Sequence, residues 1–305
     1  AEADAAYMAG RRAAIADALG RFRPDVLVTE TFPLGRRMLA DEFEAAIAEV
    51  RRRTPSAAVI ASVRDIPEPP RKPGRLAEAA ARLVRDYDLL MVHGDPALVP
   101  LSAIWPLEAF AGRTRHTGYV AAPAPGGHVA SAPGILVSVG GGVLGRRLLA
   151  LAAEAAAGSL RRWHLLAGGS DAAEVAAGLR VGAPGNLVVE PARADYRALL
   201  SGAAASVSLA GYNTVLDLAA CDTPAVLVPF EEKGEKEQGI RARALAGFPG
   251  IRVVPAEGLD AASLRRIAEA AAEGPRRPPL TLCRDGAERS ARLITETVHA
   301  PVRQT

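Results

Sequence analysis

Lysine, cysteine and long apolar runs are all scarce in this 305-residue chain, and each scarcity narrows the reading. Only three lysines occur, so the net charge of +3 rests on arginines spread along an Ala-, Arg- and Gly-rich sequence. No basic block and no interleaving of Arg with aromatics is present, so nucleic acid is not an expected partner. Cys221 and Cys283 are the whole cysteine complement. Two are too few for a disulfide framework or a zinc site, and the expected setting is a reducing cytoplasm. No apolar run approaches the roughly 20 residues of a membrane-spanning helix. The start, Ala1-Glu-Ala-Asp4, has no basic n-region, no apolar h-region and no Met. The expectation is a chain without a secretory signal that begins inside a longer protein.

What is present is an alternation of apolar runs with helical patterns. Strands are predicted at 26–29, 58–62, 89–93, 117–120, 135–139, 163–167, 187–189, 204–209, 225–228 and 251–254. Ala-rich amphipathic segments lie between most of them, at 37–53, 76–85, 148–157, 195–200 and 264–272. Unbroken apolar strands separated by helices argue for parallel sheets covered on both faces, hence an α/β fold. The segment from Ala121 to Gly134 carries three prolines and three glycines and breaks any regular element. It divides the chain into an N-terminal domain, 1–124, and a C-terminal domain, 125–305. Two doubly wound domains place their ligands outside the carboxyl ends of the strands, which predicts a cleft between them.

The stretch Ser208-Leu-Ala-Gly-Tyr-Asn-Thr-Val-Leu-Asp217 reads as a strand, a tight loop of small residues and a helix. Small residues there let backbone N–H groups approach a ligand, and the helix N-terminus behind them favours a diphosphate. A second such loop, Gly140-Gly141-Gly142, follows the strand at 135–139. It lacks the spaced glycines of dinucleotide enzymes, and the competing reading is that these glycines only make tight turns. Asp217 and Gln238 offer a carboxylate and an amide suited to sugar hydroxyls. In the first half, Glu30, Arg64-Asp65 and His93-Gly-Asp95 each follow a predicted strand, so parallel strands bring them to one sheet edge. An acid, an Arg and a His together suit an acceptor site with a general base. The competing reading is that Asp65 and Asp95 cap turns and Arg64 pairs with one of them. Asp86-Tyr-Asp88 has the D-x-D spacing of metal–diphosphate sites, but it precedes a strand and reads as a helix-to-strand turn. No metal or cofactor is expected.

The segments Arg23–Arg37, Ser62-Val-Arg-Asp65, Val92-His-Gly-Asp-Pro96 and Thr117-Gly-Tyr-Val120 resemble a group of bacterial predicted glycosyltransferases. The second half resembles the donor domain of glycosyltransferase family 28. The resemblance implies a GT-B fold with two facing Rossmann-like domains, a nucleotide-sugar donor on the C-terminal one and an acceptor on the N-terminal one. It also implies a C-terminal helix, here 287–298, that crosses back to the first domain. By resemblance, Gly140, Gly141 and Gly142 lie near the donor phosphates, and Ser208, Ala210, Gly211, Asn213 and Thr214 form the second phosphate loop. Asp217 stands where the family has a Glu on the ribose, one methylene longer. Gln238 matches the Gln that binds the donor sugar, and Arg241 replaces an Asn of the peptidoglycan enzymes. Family members open with a strand and a Gly-rich loop bearing a His. At about 30 residues per βαβ unit, two or three opening units are expected to be absent from this chain, leaving the N-terminal domain incomplete.

The implied activity is metal-independent, inverting transfer of a sugar from a nucleoside diphosphate, uridine by default. The acceptor is an unidentified hydroxyl on a glycan, a lipid-linked sugar or a small molecule. His93, Asp95 and Glu30 are the base candidates in that order, with Arg64 and Asp65 on the acceptor side. A lipid-linked acceptor would bring peripheral membrane contact. A nucleotide-sugar 2-epimerase and a non-catalytic nucleotide-sugar-binding protein are the alternatives.

Overall fold

A computed structural model describes residues 4–121, 134–231 and 235–299. The chain divides into two compact units, one of residues 1–121 with 283–305 and the other of residues 122–282. The junction expected near residue 125 lies outside the described residues.

The first unit opens with helix α1 (Ala5–Phe22), whose N-cap Asp4 accepts from the Tyr7 N–H. It continues through β1 (Val26–Glu30), α2 (Ala40–Arg53), β2 (Ala58–Arg64), α3 (Pro73–Asp86), β3 (Leu89–His93) and β4 (Thr114–His116). The four strands are parallel in the order β1-β2-β3-β4. Val59, Ala61, Val63, Leu90 and Val92 build the core on one face, with Phe32, Leu83, Trp105 and Phe110. Asp88, in the turn between α3 and β3, accepts from the Val59 N–H and from Arg51, so its carboxylate ties the start of a strand.

The strand expected at 117–120 lies three residues earlier. Thr117 donates its N–H to the Val92 carbonyl, after which Gly118, at φ +80°, turns the backbone away from the sheet. A side chain at 118 would meet Cys283 2.8 Å away, so glycine is required both for the turn and for the close approach.

The second unit runs β5 (Ile135–Val139), α4 (Val143–Ala157), β6 (Trp163–Ala167), α5 (Ala172–Arg180), β7 (Leu187–Pro191), α6 (Tyr196–Gly202) and β8 (Ala205–Ser208). It then runs α7 (Tyr212–Ala219), β9 (Ala225–Leu227), α8 (Glu237–Leu245), β10 (Ile251–Val253) and α9 (Ala261–Glu273). All six strands are parallel, in the order β10-β9-β8-β5-β6-β7. The chain moves outward from β5 through β6 and β7, then returns to the other side of β5 with β8. That reversal puts a topological switch point between β5 and β8, where open parallel sheets bind ligands.

The last helix, α10 (Gly286–His299), belongs to the first unit. Its Leu293 and Ile294 pack against Ile60, Leu89 and Met91, on the sheet face opposite the main core.

Candidate functional site

The switch point of the second unit is framed by bare backbone. Gly142, at φ +103°, is the N-cap of α4, and a side chain on Gly145 in the first turn would lie 2.4 Å from the Gly140 carbonyl oxygen. The loop after β6 closes over the loop after β5: a Cβ on Gly141 would sit 2.8 Å from Gly169 Cα, and one on Gly168 2.6 Å from the Val139 carbonyl. The Gly168–Gly169 pair was not singled out in the sequence. The signal available was its place directly after a strand, as Gly140 follows β5. Arg146 and Asp171 close the same pair of loops with an ion pair at 2.7 Å.

Across the switch point, β8 ends at Ser208, registered beside Ser138 of β5. Gly211 is the N-cap of α7, with Thr214 half-buried and Asn213 exposed in its first turn. The helix N-termini of α4 and α7 therefore belong to the loops on either side of the reversal, each carrying partial positive charge and unsatisfied N–H groups. Ser208 is 2 % exposed and its hydroxyl has no hydrogen-bond partner. The Gln238 side-chain oxygen is likewise buried without one. Buried polar atoms are almost always paired, and these two belong to residues expected to hold a donor. Tyr196 accepts from Ser138 Oγ at 3.1 Å, and burial pushes its hydroxyl up to about 12.

Two residues expected at the donor, Arg241 and Asp217, also have protein partners. Arg241 is fully buried, donating to the Ala210 carbonyl at 2.8 Å and to Glu237 at 2.6 Å. Its guanidinium, with no exposed surface, ties the loop at Ala210 to the first turn of α8. Asp217 is paired with Arg197 at 2.7 Å, so a ribose hydroxyl would meet a carboxylate already oriented by a cation. A cleft of about 600 Å³ opens beside α8 and is lined by Phe230, Glu231, Gly239, Arg243 and Pro255.

In the first unit, strand register gathers the expected polar residues. Glu30 pairs with Ser62, and Arg64 with His93. Registered partners share a face, as do residues two apart, so all four lie at the carboxyl edge of the α10 face. His93 is half-buried, with Nε2 2.8 Å from Ser62 Oγ and Nδ1 2.8 Å from Thr117 Oγ1. Burial lowers its pKa, against which the Glu30 carboxylate works. Glu30 is exposed, accepts from Thr31 at 2.8 Å and is paired with Arg36.

The two aspartates cap turns. Asp95 is 7 % exposed and accepts from the N–H groups of Ala97 at 2.9 Å and Cys283 at 3.1 Å. Asp65 is 1 % exposed and accepts from the Ile66 N–H and the Tyr119 hydroxyl. Arg64 is exposed. Ser62 and Thr117 were not among the candidate site residues, because a lone hydroxyl carries no pattern until the fold sets it beside a ring. No group of three or more metal-ligating side chains occurs among the described residues.

No family model matches the chain. A UDP-N-acetylglucosamine–N-acetylmuramyl-(pentapeptide) pyrophosphoryl-undecaprenol N-acetylglucosamine transferase of Synechococcus sp. (strain RCC307) is 35% identical over 107 residues, 33% of this chain and 30% of that one. The transferase of the same name from Chelativorans sp. (strain BNC1) is 33% identical over 87 residues, 28% of this chain and 23% of that one. Each match thus spans under a third of the relative's own length. Among solved structures, the Acinetobacter baumannii MurG aligns with 93% of this chain and 78% of its own at a TM-score of 0.58 and 16% identity. CalG4, the calicheamicin glycosyltransferase, aligns with 94% of this chain and 73% of its own at 0.57 and 17%. The fold is that of the GT-B glycosyltransferases, built from Rossmann-like α/β units. In sequence, the chain is similar to family 28 transferases of the MurG type.

Proposed function

We propose that this chain is a glycosyltransferase that moves a hexose-type sugar from a nucleoside diphosphate, with uridine the default base, to a hydroxyl acceptor. The observation that carries the reading is the switch point between β5 and β8, with a glycine-backed helix N-terminus on each side and the unpartnered Ser208 hydroxyl at the end of β8. The relatives' names support a UDP-sugar donor and a lipid-linked acceptor.

In this reading the N–H groups of 140–142 and 210–214 meet the diphosphate, and Gln238 meets the sugar. The acceptor oxygen attacks the anomeric carbon from the side opposite the diphosphate, giving inversion, and the diphosphate leaves with the bonding pair. Backbone N–H groups and the N-termini of α4 and α7 stabilise its growing charge, which is how the reaction proceeds without a metal. His93 leads the base candidates because its ring is neutral near pH 7 and half-exposed. Asp95 ranks behind it, its carboxylate being committed to two backbone N–H groups. Glu30 is more open but paired with Arg36. The acceptor is a glycan end or a lipid-linked sugar, the latter implying peripheral membrane contact. No helix among the described residues is long and apolar enough to cross a membrane.

A thermal-shift panel of UDP, GDP, ADP and dTDP, with and without EDTA, tests the donor site. Ligand bound to the folded state alone raises the melting temperature. One diphosphate is expected to do so selectively and regardless of EDTA, and Ser208→Val is expected to weaken the shift. No shift with any nucleotide would sink the donor assignment, and binding without turnover would favour a non-catalytic nucleotide-sugar-binding protein.

A further inference from the structure

The ring of His93 sits between two hydroxyls, and the direction of the protons along that line can be worked out. Thr117 is fully buried and its hydroxyl has one proton to give. That hydroxyl lies 2.8 Å from the Gly118 carbonyl and 3.3 Å from the Val92 carbonyl, groups that only accept. Its proton goes to a carbonyl, so Oγ1 faces His93 Nδ1 as an acceptor and Nδ1 carries the hydrogen. A neutral imidazole has a single N–H, which leaves the lone pair on Nε2, directed at Ser62 Oγ. Ser62 therefore donates. A base whose lone pair is already met by a serine hydroxyl takes a proton most directly from that serine.

Resting on the glycosyl-transfer reading, we propose that Ser62 and His93 form a proton relay in which Ser62 meets the acceptor and Thr117 is the positioning residue. The acceptor hydroxyl passes its proton to Ser62 Oγ as the Ser62 proton passes to His93 Nε2. The acceptor oxygen bonds to the anomeric carbon while the bond from that carbon to the diphosphate oxygen breaks, the pair leaving with the diphosphate. Ser62 ends as a neutral hydroxyl and His93 as an imidazolium, its Nδ1–H still donated to Thr117. Glu30 and Arg64 share the sheet face of this ring; burial lowers where it titrates and the Glu30 carboxylate works against that.

Two measurements on the full chain test this. Long-range proton–nitrogen spectra of histidine-labelled protein give the His93 tautomer, its signals identified by their loss in His93→Gln. The Nδ1–H form is expected in the wild type, with a mixture of tautomers in Thr117→Val; an Nε2–H form in the wild type overturns the relay. Release of nucleoside diphosphate from the matching UDP-, GDP-, ADP- or dTDP-glucose, with water as acceptor, reads the proton transfer. Ser62→Ala is expected to lower kcat about 100-fold at unchanged KM, the scale of general-base catalysis, with the double variant no worse than His93→Gln alone. Full activity in Ser62→Ala, or losses that multiply in the double variant, overturns the proposal. No release by a wild type that does bind the diphosphate also overturns it, while the donor site stands on its thermal shift.

Discussion

A methyl group at position 145 would press on the Gly140 carbonyl at 2.4 Å, whereas one at position 10, on the surface of α1, would meet nothing within 4 Å. The two glycines therefore have opposite expected behaviour. Gly145→Ala should lose about 1–3 kcal/mol to overpacking and weaken nucleotide binding by displacing the 140–142 loop. Gly10→Ala should gain about 0.5–1 kcal/mol from helix propensity and leave binding alone. Urea denaturation with a parallel thermal-shift titration checks both, and equal effects at the two positions would refute the close approach. At this scale Gly140–Gly142 and Ser208 were legible because they stand at strand ends in a recognisable order. Gly168, Gly169, Ser62 and Thr117 were not, because each acts through a neighbour distant in the chain.

Two histidines give a prediction in pH. Burial lowers the pKa of both His93 and His116, against the nearby carboxylates of Glu30 and Asp95 respectively. Below the ordinary histidine value of about 6.5 the unfolded chain binds these protons before the folded one does. Their contribution is thus complete above about pH 6.5 and is lost as pH falls through the lowered folded values. Urea midpoints at pH 7.5 and 5.5 should show this loss, and His93→Gln should reduce the difference between them. An unchanged difference would mean that the ring is not held neutral by burial.

Among the elements, α10 shows how a segment at the end of the chain becomes part of its first unit. Tyr119 donates to the Cys283 carbonyl at 2.7 Å, Cys283 donates to Asp95, and Gly286 donates to the Tyr119 carbonyl at 3.1 Å. A side chain on Gly286 would lie 2.5 Å from the Gly118 carbonyl, so the helix starts where only glycine fits. Beyond that knot, Leu293 and Ile294 cover Ile60, Leu89 and Met91. Gly286→Ala is expected to cost about 1–3 kcal/mol and to speed amide exchange in β2 and β3. Exchange raised only in the second unit would contradict the docking. The helix itself was expected from the family resemblance, over 287–298, and runs from Gly286 to His299. The start of β4 was not legible, because its three residues are half-buried or exposed and register with β3 through backbone hydrogen bonds alone.

At the scale of the molecule, each unit has its own core, one around Val137, Leu165 and Val207, the other around Val59, Leu90 and Trp105. Calorimetry is expected to show two transitions, of which a nucleoside diphosphate raises only the one belonging to residues 134–282. A single transition, or a shift of both, would show that the units unfold together.

The amino-acid sequence by itself determined the α/β class, the order of strands and helices and the small-residue loops where a diphosphate is proposed to bind. Those follow from local periodicity and from what glycine, proline and apolar runs permit over a few neighbouring residues. Tertiary structure alone decided that Arg241 is sealed beneath the 210 loop, that Asp95 fastens Cys283 and that Ser62 and Thr117 bracket the ring of His93. Each of those outcomes depends on a partner 24 to 188 residues away along the chain. Hydrogen bonds and burial are set by distances in space, which local sequence pattern does not encode.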